Sequence, residues 1–159
     1  MQFFTIGVYN STEDGFFNKL SKYKIDAFCD IRQRRGVRGN KYAFVNSKRL
    51  QKKLSASGIL YQHITALAPT REIRDLQKQT DLKNHVLKSD RKVLGNTFST
   101  EYRNKILNKF DFDSFFRNLE VLKATNIVLF CVEEFPEACH RSLVSEKLKN
   151  DFQFTITNI

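Results

Sequence analysis

The chain has no tryptophan, one methionine, two prolines and six glycines in 159 residues. So little proline and glycine leaves no linker composition. With no internal repeat or low-complexity tract either, a single domain over residues 1–159 is expected. No apolar run approaches the roughly 18–20 residues of a membrane span, so no membrane partner is expected. Met1-Gln2-Phe3-Phe4-Thr5 lacks a basic region followed by a long apolar stretch, which argues against a secretory signal. Neither a glycine-rich phosphate loop nor a dinucleotide fingerprint is present. Cysteine is scarce as well: Cys29, Cys131 and Cys139 are odd in number and form no Cys-x-x-Cys pair. Such usage fits a reducing compartment, and a cytoplasmic location is expected.

What the chain does have is positive charge and apolar runs. Lys and Arg number 27 against 17 acidic residues, giving a net charge of +10 and a pI near 9.7. That excess attracts nucleic acid, nucleotides or anionic surfaces without dictating a fold. Hydrophobic residues make up 41%, enough for a real core. Residues 3–9, 25–31 and 127–132 read as buried strands, 59–64 as a further strand, and the alternating 152–157 as a last, edge strand. Between them lie helices: one capped by Asn10, Ser11 or Thr12, one starting at Asn46 or Ser47, and a charged one after Pro69. Further helices follow from Ser99 and from Asp111 or Asp113, and a last one after Pro136. The stretch 81–97 has little periodicity and leaves room for a mobile loop within it. Strand–helix alternation predicts an α/β three-layer sandwich, a mostly parallel sheet of about five strands with helices on both faces.

In such sheets ligands collect outside the carboxyl ends of the strands. Three of those ends carry chemistry. Asp30 and Glu133 close buried strands and can divide acid and base roles if their environments separate their pKa values; the plain alternative is neutralisation by neighbouring arginines. Arg32, Arg34, Arg35 and Arg38 follow Asp30, interleaved with Gly36 and Gly39 and ending near Tyr42. Guanidinium forks suit phosphate and Tyr42 offers a stacking surface. Cys139, His140 and Arg141 fall at the start of the last helix, where backbone N–H groups favour anions. There Arg141 and His140 are expected to contact the ligand, and Cys139 is either a possible thiol nucleophile or a packing residue. Cys29 and Arg35 have the Cys-x5-Arg spacing of thiol phosphatases, but the residues between are large and charged. A metal site at Cys131, Cys139 and His140 is not expected without a Cys-x-x-Cys pair, nor is any cofactor.

The chain resembles the bacterial and archaeal family called domain of unknown function 488. The resemblance rests on Thr5-Ile-Gly7, Asp30-Ile-Arg32, Gly58-Ile-Leu-Tyr61, Cys131-Val-Glu133 and Cys139-His-Arg141, in the family's order. It implies an α/β fold and a shared site of undefined activity. Val8 and Tyr9 stand where many members have a histidine and a serine. Leu67-Ala-Pro-Thr-Arg-Glu-Ile-Arg74 replaces a glycine-rich segment, which marks a divergent branch. The leading expectation is a hydrolase- or transferase-like protein with a nucleotide or nucleic-acid partner. A non-catalytic module binding the same ligands is the first alternative, and a thiol-dependent phosphatase or sulfurtransferase the second.

Overall fold

A computed structural model describes residues 1–88 and 90–159. Its sheet is entirely parallel: β1 (Gln2–Ile6), β2 (Ala27–Asp30), β3 (Leu60–His63), β4 (Asn126–Phe130) and β5 (Ile156–Asn158), in the order β3-β2-β4-β1-β5. The helices are α1 (Glu13–Lys22), α2 (Ser47–Ala56), α3 (Arg71–Lys83), α4 (Asn96–Tyr102), α5 (Phe112–Val121) and α6 (His140–Phe152). The expected three-layer α/β architecture is therefore present.

Register shows how the two faces are filled. Phe4, Ile6, Phe28, Val128 and Phe130 share one face, where Phe16 of α1 packs 5.6 Å from Phe130 and 6.3 Å from Phe28. Phe3 and Ile127 share the other, where Phe3 meets Phe115 and Phe116 of α5 at 6.4 and 6.3 Å. Side chains alternate across a strand, so a run such as Phe3-Phe4-Thr5-Ile6 feeds both layers at once. Thr12, Thr70 and Asp111 cap their helices with side-chain oxygens on backbone N–H groups.

The strands expected over 3–9 and 127–132 end earlier, at Ile6 and Phe130, and three further segments differ from the sequence reading for local reasons. Residues 152–157 are not all strand: α6 runs through Phe152, Gln153 turns left-handed with φ 59°, and β5 begins only at Ile156. The room for a loop within 81–97 is narrower than that stretch, which also holds the end of α3 and the start of α4. Pro136 does not start an α-helix; it opens a short 3-10 turn over Pro136–Ala138, after which Cys139 is extended (φ −138°, ψ 146°) and α6 starts at His140.

The chain leaves β1 toward β2 on one side of the sheet and leaves β4 toward β5 on the other, by way of α6. The carboxyl ends of the adjacent β1 and β4 therefore form the switch point at which such sheets bind ligands. There the two loops touch directly, because Val8 and Tyr9 both donate backbone N–H groups to the Val132 carbonyl, at 3.1 and 3.0 Å. Gly7 permits the approach. A Cβ on it would lie 2.0 Å from the Glu133 carbonyl oxygen, closer than real Cβ atoms come. Gly7→Ala is expected to cost about 1–3 kcal/mol or more, read as a lower denaturation midpoint at unchanged slope.

Candidate functional site

The loop after β2 is anchored by a buried ion pair. Asp30 is fully buried and Arg32 is 3% exposed. Arg32 donates from Nε to Asp30 Oδ1 at 2.8 Å, from Nη2 to Oδ2 at 2.7 Å, and from its backbone N–H to Oδ1 at 3.1 Å. Tyr61 donates its hydroxyl to Oδ2 at 2.9 Å, and burial together with the Asp30 charge pushes the Tyr61 phenol up to about 12. Arg32 also lies over the Phe130 ring at 4.5 Å and donates to the Val45 carbonyl at 3.0 Å. Its Nη1 is buried with no hydrogen-bond partner among the described residues. Asp30 thus holds the loop through Arg32, and it does not line the cleft that Arg32 reaches.

The loop after β4 is held from behind. Arg141, 1% exposed, donates Nη1 to the Glu133 carbonyl and Nη2 to the Glu134 carbonyl at 2.6 Å. Its Nη1 and Nη2 hold the loop, its Nε is buried with no hydrogen-bond partner among the described residues, and the side chain does not line the cleft. Tyr42 ties the first loop to the end of β1, because its hydroxyl accepts the Asn10 backbone N–H at 2.9 Å while its ring packs 5.3 Å from Tyr9.

Between these loops and the α3–α4 segment lies a cleft of about 670 Å³. Seven basic side chains line it, Arg32, Arg34, Arg38, Arg74, Lys78, Lys88 and Arg91, against two carboxylates, Asp81 and Glu133. Arg91 joins both carboxylates, at 2.8 Å to Asp81 and 3.1 Å to Glu133 Oε1, and donates Nε to the Ala138 carbonyl at 3.1 Å. Lys88 stands 3.5 Å from the same Glu133 oxygen. Arg34 and Arg38 are exposed and make no ion pair among the described residues, and Tyr42 completes that wall. Arg35 lies outside the lining; its carbonyl accepts the Ser47 N–H that opens α2.

Burial pushes the Glu133 carboxyl up, but Lys88, Arg91 and His140, with a hydrogen bond from Cys131, outweigh it and hold the group near 2. At that value Glu133 stays ionised through the physiological range, which suits it to charge stabilisation and makes it a poor proton donor. Cys131 Sγ lies 3.2 Å from Glu133 Oε2, and His140 Nδ1 lies 3.9 Å from Cys131 Sγ and 3.6 Å from Cys139 Sγ. The three ligand atoms of Cys131, Cys139 and His140 fall within 4.8 Å of one another, all buried. The spacing argument against them as a set fails because the 3-10 turn carries Cys139 back to the end of its own strand. Cys29 is elsewhere. It is fully buried within β2, and neither it nor Arg35 lines the cleft; burial with the Asp30 charge pushes its thiol up to about 12.

The sequence reading missed Arg74, Lys78, Lys88 and Arg91. Basic residues recur from Arg71 to Lys92, but only the fold shows that this segment closes over the strand ends.

A family model described as "Domain of unknown function DUF488" matches residues 13–148. The chain belongs to that family. No curated protein and no solved structure matches it.

Two stability changes follow from these pairings. Asp30→Asn leaves the Arg32 charge buried and uncompensated and is expected to cost about 3–5 kcal/mol, while exchanging both partners for apolar residues costs less than the single change; denaturant unfolding of the variants measures both. Glu133 has a folded pKa near 2 against an ordinary 4.5, so its contribution is complete above pH 4.5 and fades as pH falls toward 2. It amounts to about 3 kcal/mol. Urea midpoints of wild type and Glu133→Gln are therefore expected to lie furthest apart above pH 5 and to converge near pH 2.

Proposed function

We propose that this DUF488 chain binds a phosphate-bearing ligand, a nucleotide or a segment of nucleic acid, in the cleft at the β1–β4 switch point. The observation that carries the reading is the charge of the cleft: seven basic side chains face two carboxylates, and Arg91 already pairs with both. Charge left over in a concave, partly dry site favours anions with several oxygens. Arg34 and Arg38 are the unpaired guanidiniums at the opening, and Arg32 presents a buried Nη1 with no partner. Phosphate oxygens satisfy all three. The Tyr9 and Tyr42 rings, tilted by 47° to one another, give aromatic faces beside them, suited to stacking on a base or a sugar.

Asp30 and Arg141 act at one remove in this reading. Asp30 fixes Arg32, and Arg141 fixes the Glu133 loop, so both position the ligand without touching it. Glu133 anchors Lys88 and Arg91 at the floor. Hydrolysis or group transfer at the bound phosphate is the enzymatic form of the proposal.

Labelled nucleotides and oligonucleotides are expected to bind at low salt and to be released as salt rises, since each phosphate contact frees counterions. Arg34→Ala with Arg38→Ala lowers the affinity and flattens the salt dependence. No binding of either ligand class at low salt overturns the proposal. Where binding occurs, mass spectrometry of the bound ligand after incubation with wild type and Glu133→Gln separates an enzyme from a binding module: an identical, unreacted ligand in both indicates the module.

A further inference from the structure

The floor of the cleft carries a second kind of chemistry that cationic residues do not explain. Cys131, Cys139 and His140 come from the end of β4, the N-cap of α6 and its first residue. All three line the cleft although each is at most 6% exposed. A tetrahedral ion holding sulfur at about 2.3 Å and nitrogen at about 2.0 Å separates those two atoms by roughly 3.5 Å. His140 Nδ1 lies 3.6 Å from Cys139 Sγ and 3.9 Å from Cys131 Sγ, close to that spacing, and the two sulfurs lie within 4.8 Å of one another.

The imidazole is also oriented as a ligand. Its Nε2 lies 3.0 Å from the Ile31 carbonyl, which can only accept, so Nε2 carries the hydrogen and Nδ1 is the atom turned to both sulfurs. A backbone carbonyl on the far nitrogen is the usual outer partner of a metal-bound histidine. The Tyr102 ring, 5.5 Å away and tilted by 57°, packs against the imidazole. Charge closes as well: two thiolates balance a divalent ion, while Glu133 is balanced by Arg91 and Lys88 through Oε1.

We propose that Cys131 Sγ, Cys139 Sγ and His140 Nδ1 bind one divalent ion of the zinc class, with the fourth coordination position opening into the cleft beside Glu133. Two thiolates with one imidazole select zinc over magnesium or calcium, which prefer oxygen. Three protein ligands and one open position is the pattern of a zinc ion that acts on something, whereas structural sites close with four. Glu133 is a neighbour and not a ligand: its Oε2 is 3.2 Å from Cys131 Sγ, and it is outside the group of three whose ligand atoms lie mutually close. The fourth position takes water or an oxygen of a molecule in the cleft. The site stands on its own geometry and does not depend on the phosphate reading.

The test uses the full chain, reduced and stripped of metal, titrated with cobalt(II) as a spectroscopic probe and then with zinc. Wild type is expected to bind a single equivalent of cobalt with a thiolate-to-cobalt charge-transfer band and strong tetrahedral d–d bands, both lost on zinc addition. Cys131→Ser and Cys139→Ser each lower the charge-transfer intensity and weaken binding, whereas Cys29→Ala keeps stoichiometry and band. X-ray absorption of the wild-type zinc form is expected to show sulfur and light-atom scatterers in equal number, which decides the matter if a serine variant fails to fold. The proposal is overturned if the reduced wild type takes up neither ion at micromolar concentration, if zinc has no sulfur neighbours, or if Cys131→Ser and Cys139→Ser fold and bind as wild type does. Nucleotide binding by the metal-free chain is scored separately, so failure of one reading leaves the other standing or falling by its own measurement.

Discussion

The loop that follows β4 turns back across the end of β1 because Arg141 supplies two donors to the carbonyls of Glu133 and Glu134, and because Gly7 puts no side chain in the way. Those carbonyls sit where no strand or helix partner is available, and a buried carbonyl without a donor is costly. The rest of the site depends on that turn. It aims Glu133 at Arg91, sets Cys131 beside it, and returns the chain so that Cys139 and His140 face the strand they have just left. A lysine in place of Arg141 has neither the reach in two directions nor the planar fork to hold both carbonyls.

A second buried cation works in the same way on the other wall. Arg32 spends Nε and Nη2 on Asp30 and Val45 and lays its face on Phe130, which leaves one nitrogen over. The chain therefore uses arginine for two purposes that composition cannot distinguish. Arg141 is framework, Arg34 and Arg38 make no ion pair among the described residues, and Arg32 is framework that still reaches the cleft. Arg91 belongs to both groups, since it fastens the α3–α4 segment while contributing to the positive lining.

That division marks how far the sequence could be read. Strands such as Ile127–Phe130 and helices such as Phe112–Val121 declare themselves by apolar period, and their alternation was enough to expect a parallel sheet with two helical layers. Asp30 and Glu133 were legible as candidates because each stands at or just past the end of a buried strand, and Cys139 and Arg141 because they fall at the start of the last helix. Their partners were not. Whether Arg141 faces a ligand or a carbonyl depends on a contact of seven or eight residues around a turn whose shape was unknown. Whether Cys131, Cys139 and His140 meet depends on a 3-10 turn that ordinary helix rules assign to α6. Arg91 was hidden for another reason: it reaches 42 residues along the chain to Glu133, beyond any local pattern.

The strand order has a bearing on how the molecule comes to exist at all. β1 lies between β4 and β5, so the segment Gln2–Ile6 finds both of its sheet neighbours more than a hundred residues later in the chain. During synthesis Phe3, Phe4 and Ile6 emerge early and wait, with their backbone N–H and C=O groups open on both edges, until Asn126–Phe130 has left the ribosome. Such long-range parallel pairing is slow and exposes apolar edges to other chains. The pairing that gives the sheet its switch point can thus close only after most of the chain has been made.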